Sequence, residues 1–141
     1  MNEYIEFTNN HPLLVGSFFA ILTLLIFNLF GSRMRGYNVA SPADATTLIN
    51  RNDATVLDVR TDKEFNEGHI VNSIHIPQAN VTERIAELEK LKHKPIIVSC
   101  RTGQRSGQVC GALKKQGFDH IYNLAGGVMA WQNANLPLIK N

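Results

Sequence analysis

Two short runs constrain this chain more than anything else in it. Thr55–Val59 carries Val56, Leu57 and Val59, and Pro95–Ser99 carries Ile96, Ile97 and Val98, with almost no polar interruption. A strand with one wet face alternates apolar and polar residues, so an unbroken apolar run marks a strand covered on both faces. Strands of that kind belong to parallel sheets, whose neighbours are joined by crossovers that are usually helical. The intervening sequence supplies them. Ser41-Pro42-Ala43-Asp44 is a helix start, with Ser41 as N-cap, Pro42 in the first turn and Asp44 near the positive helix end. Ala45, Leu48 and Ile49 give that helix its apolar face. Asn80 with Glu83 has the spacing of a capping box, and Val81, Ile85, Leu88 and Leu91 follow on one face of an amphipathic helix. Gln108–Gln116 reads as a helix closed by Gly117, and 128–134 as a last short one. Ser73–Ile76 (stopped by Pro77) and His120–Leu124 read as further strands. The expectation is an α/β domain with a largely parallel central sheet flanked by helices, whose ligands sit at the carboxyl ends of the strands.

One such end carries a cysteine. The buried run 95–99 leads directly into Cys100-Arg101-Thr102-Gly103-Gln104-Arg105-Ser106-Gly107, and a helix follows. Gly103 and Gly107 would let the backbone curl so that successive N–H groups point at one spot. A helix N-terminus, Arg101 and Arg105 would add positive charge there. Such surroundings lower a thiol pKa from about 8.5 toward the range of reactive cysteines and welcome an anionic substrate. Cys110 lies with Val109 and Leu113 on what should be the inward face of the helix, where cysteine behaves as a small hydrophobe. With only two cysteines the chain has neither a disulfide framework nor a thiolate metal cluster.

The N-terminal part has a different character. Leu13–Phe30 contains no charged residue; about 18 residues make a helix of about 27 Å, against a bilayer core of about 30 Å. A cleaved signal peptide would need a basic segment before the run, yet Glu3 and Glu6 are the only charged side chains there. All 14 basic side chains follow the run, beginning with Arg33 and Arg35, so the positive-inside rule directs the rest of the chain to the cytoplasm. The expected organisation is a short extracytoplasmic segment over 1–12, a transmembrane helix over 13–30, a flexible linker over 31–40 and a folded domain over 41–141. A net charge of +2 with no dense Lys/Arg run gives no footprint for nucleic acid.

The strand, the Cys-x4-Arg loop and the helix together resemble the active-site loop of the rhodanese domain, a sulfurtransferase family. Leu57-Asp58-Val59-Arg60, Glu64–Ile70, Asn72–Pro77 and Leu124–Trp131 resemble the family's other motifs in the family's order, and they span nearly everything from Ser41 onward. The resemblance implies a rhodanese-like fold; taken with the apolar run and the positive-inside argument, the expectation is a membrane-anchored bacterial member, single-pass in the inner membrane, with its N-terminus outside and its catalytic domain cytoplasmic. It implies Cys100 as the catalytic residue, with Arg101, Thr102, Gly103, Gln104, Arg105 and Ser106 binding substrate, and no metal or cofactor. The expected partners are a small anionic sulfur donor, a thiol or protein sulfur acceptor and, through residues 13–30, the membrane. His69 and His75 fall at positions that are mainly structural in that family. Asp58, Arg60 and Glu64 read as a polar tie between a strand end and the next loop. Gly126-Gly127 reads as a tight turn, and Trp131 as the anchor of the last helix.

Two other readings remain open at this level. A cysteine phosphatase or arsenate reductase also cradles an anion over a thiolate, although phosphatases of related fold carry a loop one residue longer, Cys-x5-Arg. A membrane-tethered docking module would use the same domain to hold a membrane or sulfur-carrier partner.

Overall fold

The computed structural model describes residues 1–140, and the side chains of these except at 32–34. The Arg33 side chain and Asn141 therefore lie outside the described residues. The chain divides into two compact units, the first ending at Gly36 and the second beginning at Tyr37.

The first unit consists of two helices. α1 spans Asn2–Asn10 and α2 spans Pro12–Met34, so most of the short segment expected over 1–12 is itself a helix. Pro12 opens α2 at a position where the missing N–H costs nothing. From Pro12 to Gly31 the helix is long and apolar enough to cross a membrane, and none of that stretch is buried within the protein. Leu13, Leu24 and Phe27 project from it largely exposed. A helix that is apolar all round has no face on which to meet water.

The second unit is built on five parallel strands: β1 (Asn38–Ala40), β2 (Thr55–Asp58), β3 (Ile74–His75), β4 (Ile96–Ser99) and β5 (Ile121–Leu124), in the order β1-β5-β4-β2-β3. Every pairing is parallel, and β4 lies between β2 and β5 with Val56 opposite Ile97 and Val98 opposite Asn123. The apolar runs are explained by this position. Ile96 and Val98 enter one core with Leu57, Val109, Leu113 and Phe118, while Ile97 enters the other with Val56, Ala45, Leu124 and Trp131. Each of these β4 side chains is fully buried, worth about 2 kcal/mol apiece. The same period of two turns Cys100 toward the first core.

The helices cover both faces. α3 (Pro42–Asn52) begins with the expected cap, Asp44 N–H donating to Ser41 Oγ and Ser41 N–H to the Asp44 carboxylate. α4 (Asp62–Asn66) begins with a second capping box between Thr61 and Glu64. α5 (Val81–Arg84) is a single turn that passes into a 3-10 segment over Ile85–Leu91, then α6 (Gln104–Lys115) and α7 (Gly127–Asn133) follow.

Three expectations are corrected. The stretch 31–40 is not a linker throughout: α2 runs on to Met34, and Asn38–Ala40 pair with β5, where the Ala40 carbonyl also accepts the Ala125 N–H at 2.8 Å. Asn80 makes no side-chain cap, because its own backbone is already near-helical (φ −104°, ψ −5°) and turns the side chain away from the helix end. The last helix but one starts at Gln104 rather than Gln108, since Gly103 completes the loop in the left-handed region at φ 100°.

Candidate active site

The thiol stands where β4 ends, and the loop closes over it within four residues. Gly103 N–H donates to Cys100 Sγ at 3.0 Å, and Ser106 Oγ, in the first turn of α6, lies 3.3 Å from the same sulfur. Cys100 is only 1% exposed. Burial pushes its thiol up, but hydrogen bonds from the Ser106 hydroxyl and from the N–H groups of Ser106, Gly103 and Thr102 outweigh burial and hold it below its ordinary value. The hydrogen bonds lead, and the charges of Cys100 and Arg105 also attract each other.

The predicted residues divide accordingly. Gly103 and Ser106 hydrogen-bond the sulfur, and the backbone N–H of Thr102 helps to lower its thiol. Arg101 and Gln104 are exposed on the outer side of the loop. Arg105 turns away: its guanidinium grips Glu64 of α4 with two hydrogen bonds, 2.9 and 2.8 Å, and holds that carboxyl down to about 2 despite partial burial. Glu64 thus leaves the tie expected with Asp58 and Arg60. Those two form a buried pair of their own at 2.7 Å, and Arg60 also donates to the Gly68 carbonyl, fastening the end of β2 to the loop after α4. Thr61-x-x-Glu64 is a legible capping-box signature; nothing local in sequence says that its carboxylate also restrains Arg105 from 41 residues away.

Behind the loop, α7 does the bracing. The first N–H groups of a helix lack partners within it. Here Val128 N–H donates to the Cys100 carbonyl at 2.8 Å and Met129 N–H to the Arg101 carbonyl at 3.1 Å. Gly126 and Gly127 both have positive φ, 69° and 60°. At Gly127 a Cβ would fall 2.5 Å from the Arg101 carbonyl oxygen, so only glycine permits this approach. Gly107, by contrast, is an ordinary helical residue and not part of the curl. Its missing side chain makes room for Tyr37 Oη and Asn123 Nδ2, which a Cβ would meet at 3.0 and 3.4 Å. Asn123, which the sequence reading passed over, bridges the Ser106 hydroxyl and the Gly103 carbonyl at 2.6 and 2.9 Å.

The other tempting residues have structural work. Cys110 is fully buried, its thiol pushed up to about 12 by burial and, secondarily, by the charge of Cys100, and the two cysteines are unbonded. His69 and His75 both stack on Phe65, with ring centroids 3.8 and 4.2 Å away, and each donates a ring N–H to a backbone carbonyl, Phe65 and Arg60 respectively. Trp131 donates to the Pro137 carbonyl and anchors the chain after α7. Beside the loop lies a cavity of about 320 Å³ whose lining includes Arg60, Glu64, Glu67, Arg101, Met129 and Leu138.

Comparison with known proteins gives this geometry a context. The family model described as Rhodanese-like domain matches residues 41–134. The chain is 36% identical over 141 residues to the uncharacterized protein YibN of Escherichia coli K12, covering 99% of each, so that similarity includes the apolar helix. It is 33% identical over 96 residues to the thiosulfate sulfurtransferase GlpE of Coxiella burnetii, covering 68% of this chain and 88% of that one. Among solved structures it superposes on a rhodanese-related protein of Thermoplasma volcanium with a TM-score of 0.67 at 31% identity, covering 74% of this chain and all of the other.

Proposed function

The chain belongs to the rhodanese-like domain family, and on that premise we propose that it is a membrane-anchored sulfurtransferase working through a persulfide on Cys100. The observation that carries the proposal is the lowered thiol of Cys100, hydrogen-bonded by Gly103 and Ser106 beneath a loop that leaves the residue 1% exposed. The thiolate attacks the outer sulfur of a donor such as thiosulfate. A new S–S bond forms, the donor's own S–S bond breaks, and sulfite leaves with the electron pair, so no general acid is needed. The terminal sulfur of the persulfide carries the negative charge, and the N–H groups of Thr102, Gly103 and Ser106 stabilise it. An acceptor thiolate then attacks that sulfur and returns Cys100 as thiolate. Arg101, exposed at the cavity mouth, draws the anionic end of the donor, whereas Arg105 serves the loop through Glu64.

A thiol this enclosed admits a terminal atom more readily than the centre of a tetrahedral oxyanion, which favours sulfur over phosphate chemistry. Intact mass spectrometry after incubation with thiosulfate is expected to show one added sulfur, absent from Cys100→Ser, and aryl phosphates should be turned over negligibly. Efficient phosphatase turnover without a persulfide would reverse the assignment.

The anchor reading rests on α2 and on the basic residues Arg33 and Arg35 that close it. It places the protein in a bacterial inner membrane with the domain in the cytoplasm, where thiols stay reduced. In a Cys110→Ala background a membrane-impermeant maleimide should label Cys100 only after the inner membrane is permeabilised. Labelling of intact cells would mean that the domain faces outward.

A further inference from the structure

Asn123 sits on β5 behind the loop, in a strand that is otherwise Ile121, Tyr122 and Leu124. Its amide is held in one orientation. Nδ2 donates to the Gly103 carbonyl at 2.9 Å, since the reverse orientation would set two oxygens against each other. Oδ1 is thereby aimed at Ser106, whose hydroxyl donates to it at 2.6 Å. Ser106 is completely buried and also lies 3.3 Å from Cys100 Sγ. One hydroxyl proton therefore faces two acceptors, the amide oxygen and the sulfur. We propose that Asn123 is a positioning residue that decides, through Ser106, which form of Cys100 the loop holds.

When Cys100 is a thiol, its S–H donates to Ser106 Oγ and the hydroxyl donates to Asn123, so every group is paired. When the thiol ionises, its proton leaves to solvent and the hydroxyl turns from Asn123 to the sulfur, leaving Oδ1 without its partner. In the persulfide the negative charge moves one sulfur outward to the N–H groups, and the hydroxyl returns to Asn123. The amide thus opposes the bare thiolate and favours the states on either side of it. The Gly103 carbonyl also accepts the Gly107 N–H at 3.2 Å, so removing the amide does not orphan it. The charged and titratable groups around the thiol include Arg101 of the loop, Arg105 of α6 with Glu64 of α4 across it, Asp58 and Arg60 at the end of β2, Cys110 further along α6, and Tyr37, which packs against the same core with its Oη beside Gly107. Among the described residues none of their side chains hydrogen-bonds to Sγ.

The test follows the pH dependence of Cys100 alkylation by iodoacetamide in the full-length chain in detergent, and it needs no sulfur-transfer assay. Asn123→Leu is isosteric and cannot accept the proton, so its alkylation midpoint should fall by about half a pH unit or more. The same substitution made in Ser106→Ala should move the midpoint little, because the proton in question is gone. Asn123→Asp, a stronger acceptor, should raise the midpoint, and by more with Ser106 present than without it; this variant decides the matter should the leucine protein fail to fold. An upward or absent shift in Asn123→Leu, or shifts of equal size with and without Ser106, would mean that Asn123 only braces the loop.

Discussion

Cys100→Ala is expected to lose cyanide-dependent sulfur transfer by about a thousandfold or more, while Cys110→Ala keeps most of it. The two thiols lie on the same side of the sheet and share one core cluster, yet the protein treats them oppositely. Around Cys100 the hydrogen bonds outweigh burial. Around Cys110 burial prevails, because its thiol meets the Tyr122 carbonyl at 3.6 Å, which can take a proton's bond but cannot stabilise a thiolate. Near neutral pH Cys110 therefore stays protonated and inert. Steady-state rates with thiosulfate and cyanide, with folding checked by circular dichroism, make the comparison. Equal losses from both substitutions in folded proteins would require a dithiol mechanism in place of the single-cysteine one.

Gly127→Ala should be the most damaging exchange of a glycine in the domain. The backbone there has φ 60°, which costs an L-residue about 1–2 kcal/mol. The added methyl would also press on the carbonyls of Cys100 and Arg101, and backbone cannot swing aside as a side chain can. Together these are worth about 3 kcal/mol or more, enough to lower the melting temperature by about 10 °C or more. Because the colliding atoms belong to the reactive loop, activity should fall even at temperatures where the variant stays folded. Gly111→Ala is the control: on α6 a Cβ meets nothing within 4 Å, and alanine there should stabilise by about 0.5–1 kcal/mol. Melting curves followed by circular dichroism test both, and a Gly127→Ala protein that melts like wild type would show that the loop can retreat at no cost.

What the sequence made legible was what its local chemistry decides. β2 and β4 announce themselves because burial on both faces leaves no room for polar alternation. Ser41 marks the start of α3 because its cap involves only Asp44, three residues on. The region 80–91 was half legible. Val81 to Ile85 is a step of four, which suits an α-turn, but Ile85 to Leu88 to Leu91 are steps of three, the repeat of the 3-10 segment found there. The apolar face came out correctly, with Val81 and Leu88 buried, while the helix type did not. At the site, Cys100 and the glycine of the turn could be read from their neighbours. The loop's charge could not, because Arg105 is claimed by Glu64, a partner brought close by the fold and not by spacing. Asn123 did leave a trace. It is a polar residue in a strand whose neighbours are buried or half-buried, and a partner is needed in such a place.

β1 is three residues long and precedes the span over which the family resemblance runs, yet it alone covers the outer rim of β5. Without it, the N–H and C=O groups of β5 that now meet Asn38–Ala40 would stand open along the edge of the sheet, a ready template for a second molecule. The strand that follows the apolar helix thus shields the rim of β5 as well as continuing the chain. A fragment cut at Ser41 would keep Cys100 and its loop but would carry an unprotected sticky margin. The smallest piece of this chain that should remain dispersed in water begins no later than Tyr37.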